Sequence, residues 1–222
     1  MTVSPRSADR RFVPRLRLVA AAALISLVAT ACMEGKRPYF EQAPTAVGTS
    51  TGDPNIDAVL ALYDSVGSAV FTAGYQALLA YGGVESTVAA AQVDPTQRSM
   101  TVNDVRYITD SSGTRTCSVA AGTCTPVLNA AAVSDTGVTP EFVFGDIAKR
   151  LRRDANARIA PATVSTVEIA GQQATCVDVA LSGGTKQYCA LADGVLARFV
   201  GADVTLDLTS YQPTADPTLF TP

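Results

Sequence analysis

The most restrictive stretch of the chain is a pair of apolar-alternating segments, 174–181 and 185–191, with Ser182-Gly183-Gly184 between them. A two-residue Ser182-Gly183 loop sets Leu181 opposite Gly184, and counting outward sets Cys176 opposite Cys189. Alternation along the ladder makes the cysteines a non-hydrogen-bonded pair, whose Cα atoms lie closest and within disulfide reach. The spacing predicts a stapled antiparallel hairpin. Val177, Val179 and Leu181 form its apolar inner face, while Cys176 and Asp178 point outward. A bridge closing a loop of this size stabilises by about 3 kcal/mol in the chain-entropy account. Cys117 and Cys124 remain. Three pairings of the four cysteines exist, and locality favours Cys117–Cys124 beside Cys176–Cys189. Their spacings are not those of a zinc site.

Further strands at 163–169, 195–200 and 204–211 flank the hairpin, with turns at Ala170-Gly171, Asp193-Gly194 and Gly201-Ala202. In the last strand Val204, Leu206 and Leu208 alternate with Thr205, Asp207 and Thr209, the pattern of a half-buried antiparallel strand. Earlier, 70–81 puts Phe71, Ala73, Tyr75, Ala77, Leu79 and Tyr81 on one face of an extended segment. Gly82-Gly83 then turns the chain into 84–93, and short strands follow at 98–102, 105–109 and 114–117.

Two helices are expected. Asp53 as N-cap and Pro54 at the first position open one over about 54–67, with Ile56, Val59, Leu60 and Tyr63 at helical spacing. Thr139-Pro140-Glu141 opens the other, which runs to Ile159 before Pro161. Phe144, Ile147, Ala148, Leu151, Ala155 and Ile159 share one of its faces. Its opposite face carries Lys149, Arg150, Arg152 and Arg153. The favoured reading is a solvated face laced by Asp146–Arg150 and Asp154–Arg158 pairs, ahead of a contact for anionic headgroups. The region 125–139 reads as a loop.

Near the start, Arg10, Arg11, Arg15 and Arg17 precede an apolar run over 18–28, and Ala29-Thr30-Ala31 leads into Cys32. That order is the layout of a secretory signal, too short in its apolar part to span a bilayer. The cysteine after small residues resembles the acylation site of bacterial lipoproteins, with Ala29 where Leu or Val is usual. The expected organisation is a signal at 1–31, acylation of Cys32, a flexible tether over 32–53 rich in Pro, Gly, Ser and Thr, and one domain over 54–222. The place expected for the protein is therefore extracytoplasmic, anchored to the cell membrane by acyl chains.

The whole chain carries a net charge of −3, and the signal takes five arginines and one aspartate with it. An acidic remainder argues against a nucleic-acid partner, which would need a basic patch, and none is expected. Histidine is absent altogether, so there is no Ser-His-Asp triad, no His-based zinc site and no imidazole catalyst. No cofactor and no enzymatic activity are expected, and the protein is expected to be a monomer.

The helix at the front, F-T-A-G-Y-Q-A-L running on to V-R-Y-I-T-D-S-S-G, the central helix and the closing D-L-T-S-Y-Q-P-T-A-D-P-T-L-F together resemble the LolA-like lipoprotein-carrier fold over 54–222. They look closer still to the lipid-carrying lipoproteins of actinobacterial envelopes. The resemblance implies an α+β fold: a curved antiparallel half-barrel sheet partly closed by an N-terminal and a central helix, holding a lipid or glycolipid in an apolar cavity. On that implication Phe71, Tyr75, Leu79 and Tyr81 line the cavity against Phe144, Ile147 and Leu151. The alternative is an envelope interaction module whose core is filled by the same side chains.

Overall fold

The computed structural model describes residues 47–222; Cys32, the signal and most of the tether lie outside them. Eleven antiparallel strands form one open sheet in the order β6-β5-β4-β3-β2-β1-β11-β10-β9-β8-β7. They are β1 Phe71–Leu79, β2 Val84–Asp94, β3 Gln97–Val102, β4 Val105–Asp110, β5 Gly113–Ser118, β6 Thr123–Thr125, β7 Thr163–Ile169, β8 Gln172–Leu181, β9 Gly184–Leu191, β10 Leu196–Val200 and β11 Val204–Gln212. Among the described residues the α-helices are α1 Pro54–Ser65, α2 Ala130–Thr136 and α3 Ile147–Ala157. No helix among the described residues is long and apolar enough to cross a membrane.

The hairpin of β8 and β9 has Leu181 opposite Gly184 and Cys176 opposite Cys189, and these cysteines are bridged. Cys117 and Cys124 bridge β5 to the three-residue β6. The first bridge is not on an open surface as expected: Cys176 and Cys189 are both fully buried, as are Val177 and Val179. The sheet is therefore covered on both sides at this point.

α1 forms where expected. The Asp53 carboxylate accepts from the N–H groups of Asn55 and Ile56, capping the helix, and from the Ala162 N–H at 2.9 Å. Arg158 lies 3.7 Å away. Residues at the end of the expected tether are tied to α1 as well, Ser50 and Thr51 both donating to Asp57. The Ala162 N–H, then the two capping N–H groups and Arg158, hold the Asp53 carboxyl below its ordinary value of 3.8 against the effect of burial. A depressed carboxyl stabilises the fold above its ordinary pKa, and that contribution is lost as pH falls through the folded value. Asp53→Ala is expected to cost about 2 kcal/mol near neutral pH. In urea melts its gap from the native chain should shrink below about pH 4; a gap that stays constant to about pH 2 would refute the assignment.

The second half of the helical layer departs from expectation in three ways. First, 125–139 is not all loop: Asn129 caps α2 by accepting from Ala131 and Ala132, and Gly137 ends it at φ 65°. Second, the long helix expected over 140–159 is broken. Phe142–Asp146 is a π-helical turn, with the Glu141 carbonyl accepting from Phe144, Gly145 and Asp146. Phe142, Val143 and Phe144 are all buried, and three successive residues cannot share one face of an α-helix at 3.6 residues per turn. Widening the turn lets all three pack inward. Third, α3 stops at Ala157, because Arg158 turns extended and Ile159 donates to Ala180 on β8. Ile159 is left exposed rather than on the buried face.

The expected pairs along α3 are also replaced. Asp146 pairs with Lys149, Arg150 with Asp203, and Arg158 with Asp53. Arg152, expected in solvent, is buried and bonds both oxygens of Asp64 on α1 at 2.5 Å. Asp154 is buried too, accepting from Lys186 and from the Tyr188 hydroxyl. The polar side of α3 is thus largely a tertiary contact, and only part of it meets water.

Candidate functional site

The inner face of the sheet is built by alternation. On β1, Phe71, Ala73, Tyr75 and Ala77 are buried in register with Gln92, Ala90, Val88 and Ser86 of β2. On the other side Tyr75 and Ala77 face Leu208 and Leu206 of β11, past a bulge at Gly74/Tyr75. Leu206 continues the row into Phe199 of β10 and Tyr188 of β9. The π turn and α3 lie over this face. Phe144 meets Phe71 with ring centroids 6.1 Å apart, and Phe142 meets Phe199 edge-on at 5.7 Å. Ile147 and Leu151 are buried in the same core. Leu79 is half-buried and packs against Gly137; a Cβ there would come within 2.6 Å of it, so glycine serves both that approach and the turn.

The residues expected to line a cavity are therefore brought together, with two qualifications. Phe71, Tyr75, Phe144, Ile147 and Leu151 are buried in one core, and Leu79 is only partly buried against it. Tyr81 does not join them. β1 ends at Leu79, the chain enters a 3-10 turn over Tyr81–Gly83, and Tyr81 is 96 % exposed. Clefts of about 560, 350 and 200 Å³ open elsewhere. The first lies between the start of α1 and the end of α3, the second beside β5 and β6, the third beside Asp64 and Arg152. None of the three is lined by the inner-face residues.

Polar groups around the inner face are unevenly satisfied. Tyr63 donates to the Cys189 carbonyl, Tyr188 to Asp154, and Tyr211 to Asp193. The Tyr75 hydroxyl is buried and makes no hydrogen bond. Burial, then the nearby Asp193 and Tyr211, push its pKa far above the ordinary tyrosine value, so it stays a neutral O–H. Two guanidinium groups lie on the aromatic cover, Arg98 5.3 Å from the Phe144 ring centre and Arg150 5.0 Å from that of Phe142. Phe142, Phe199, Gln92, Arg98 and Arg150 are members of this site that the strand pattern alone did not single out. Gln92 had a signal: it continues the inward alternation of Val88 and Ala90.

No family profile matches the chain, and no curated protein sequence matches it. Solved structures do. MucB in the Pseudomonas aeruginosa MucA/MucB complex aligns with TM-score 0.51 at 12% identity, over 76% of this chain and 60% of that one. MucB in a second complex with periplasmic MucA gives TM-score 0.49 at 11% identity, over 74% and 58%. LprF from Mycobacterium bovis gives TM-score 0.39 at 10% identity, over 74% and 96%. The fold is of the LolA-like kind. This chain spans about 60% of the length of the MucB chain it matches. Its two disulfides fit an oxidising, extracytoplasmic compartment.

Proposed function

We propose that this protein is a non-enzymatic, monomeric extracytoplasmic lipoprotein, held to the membrane through Cys32, that binds an acyl-chain ligand on the inner face of its sheet. The observation that carries the reading is the Tyr75 hydroxyl: a polar group under the helical cover, 2 % exposed and without a partner, in an otherwise apolar row. Such a group costs about 1–3 kcal/mol when left unsatisfied, and a ligand oxygen removes that cost. The floor beside it is made of Ala73, Ala77 and Ala90, which leave volume once the cover lifts. Each CH2 then buried contributes about 0.8 kcal/mol. The cover is one π turn and short helices, a weaker lid than an unbroken helix would be.

A second reading has its own observation. Phe71 and Phe144 already touch, so the core is filled without a ligand and the protein would act through its outside. MucB, which shares the fold, is solved with a protein partner. Native mass spectrometry of the exported protein separates the two: one lipid-mass adduct is expected for the carrier. Ala77→Phe should remove that adduct while shifting the melting temperature little. No adduct, together with a loss of about 1–3 kcal/mol from overpacking at Ala77, would establish the filled module instead.

A further inference from the structure

At the end of the sheet where β1 begins, two more buried atoms lack hydrogen bonds, Gln92 Oε1 and Arg98 Nε. They are neighbours. Phe71 is opposite Gln92 across β1 and β2, and Gln92 is opposite Arg98 across β2 and β3, so the three side chains stand in a row on one face. Phe144 covers the row, its ring reaching both Phe71 and the Arg98 guanidinium. The amide orientation of Gln92 is fixed, because its Nε2 donates to the Val66 carbonyl at 2.6 Å and the Ala69 carbonyl at 2.8 Å. Its Oε1 is therefore an open acceptor on a fully buried side chain. Arg98 spends Nη1 on Glu141 at 3.1 Å, which balances its charge and leaves the Nε–H as an open donor.

An acceptor beside a donor selects its guest. An ionised carboxylate would satisfy Arg98 but confront Gln92 Oε1 with another acceptor. An ammonium group would satisfy Gln92 but confront Arg98 with another donor. A hydroxyl satisfies both, accepting from Arg98 Nε and donating to Gln92 Oε1. We propose that Gln92 and Arg98 are the headgroup seat of the ligand, and that the ligand is a neutral lipid bearing a free hydroxyl, with its chain running beneath Phe144 along β1. The assignment rests on the carrier reading above and adds the chemical class of the ligand to it.

The test is competition against a fluorescent acyl probe on the exported full chain, using hexadecanol, its methyl ether and palmitate. The alcohol should compete at least about tenfold better than the ether or the acid, since each of those leaves a buried partner unpaired. Arg98→Met keeps the side-chain stem under Phe144 and removes the donor. It should weaken alcohol and ether alike, by about fivefold or more, and keep the preference for the alcohol, because both oxygens accept from Arg98 Nε and only the hydroxyl donates to Gln92 Oε1. Arg98→Lys, which retains the charge opposite Glu141, should do the same. Equal competition by alcohol and ether in the native protein would overturn the seat and leave the carrier reading standing, the two atoms then holding bound water only. Alcohol competition undiminished in Arg98→Met would overturn it as well. If none of the three competes and the probe does not bind, the carrier reading falls and takes the seat with it.

Discussion

Gly194→Ala is expected to destabilise the domain by about 4 kcal/mol or more, or to prevent folding. Gly194, in the turn between β9 and β10, has φ 84°, where a side chain is strained. The larger effect is steric. A Cβ there would lie 2.1 Å from the Leu62 carbonyl oxygen and 2.9 Å from the Val66 nitrogen, both backbone atoms at the end of α1. Backbone cannot swing aside as a flexible side chain would. α1 would have to lift, drawing Tyr63 and Val66 out of the core. Gly183→Ala, with nothing near its Cβ and no left-handed backbone, is the control and should stay within about 0.5 kcal/mol of the native chain. Urea midpoints that coincide for the two variants would contradict this account.

Asp154→Ala should cost about 3–5 kcal/mol, the range for removing one partner from a buried charged cluster. Asp154 and Tyr188 are both buried, and Lys186 donates to the same carboxylate at 2.8 Å. Burial, then the bond to Asp154 and its charge, push the Tyr188 phenol well above its ordinary range, so it remains the donor. Truncation strands that hydroxyl in the core beside an unbalanced ammonium group. For a domain of this length the loss corresponds to a fall of roughly 10 °C in melting temperature. Asp154→Asn keeps an acceptor for the tyrosine and should lose less. A fall under about 1 kcal/mol for the alanine variant would mean that water already serves these groups.

How far the sequence foretold the molecule depended on how local each determinant is. The register of the β8–β9 hairpin followed from Ser182-Gly183, because a two-residue loop leaves one way to count. The inward set on β1 followed from alternation as far as Leu79 and failed at Tyr81, where a chain leaving a strand no longer obeys a period of two. α2 carried readable caps in Asn129 and Gly137, but its short alanine-rich core offers almost no apolar periodicity. The break after Glu141 exists to bury three successive residues, and that demand comes from the sheet beneath. Arg152 was unreadable for a similar reason: its partner Asp64 is on another helix, 88 residues away. The candidate site divides along the same line. Its strand residues were legible, while the pairing of Gln92 with Arg98 under Phe144 needed the fold.

Every neighbouring pair of strands in this sheet is consecutive in sequence except one, β1 with β11. That seam joins Thr72 to Gln212, nearly the whole length of the domain. All other ladders are hairpins or short returns, which form early because little chain must be closed to make them. Two independent meanders therefore arise first, one on each side of the molecule, and the central seam is the slow step that unites them. Until it forms, β1 is an uncovered edge with a row of open backbone donors and acceptors, the arrangement that templates aggregation. In the finished sheet the edges are instead β6, three residues long and disulfide-bound, and β7. A nascent chain that has not yet released residue 204 has its most adhesive strand in the middle of the eventual fold.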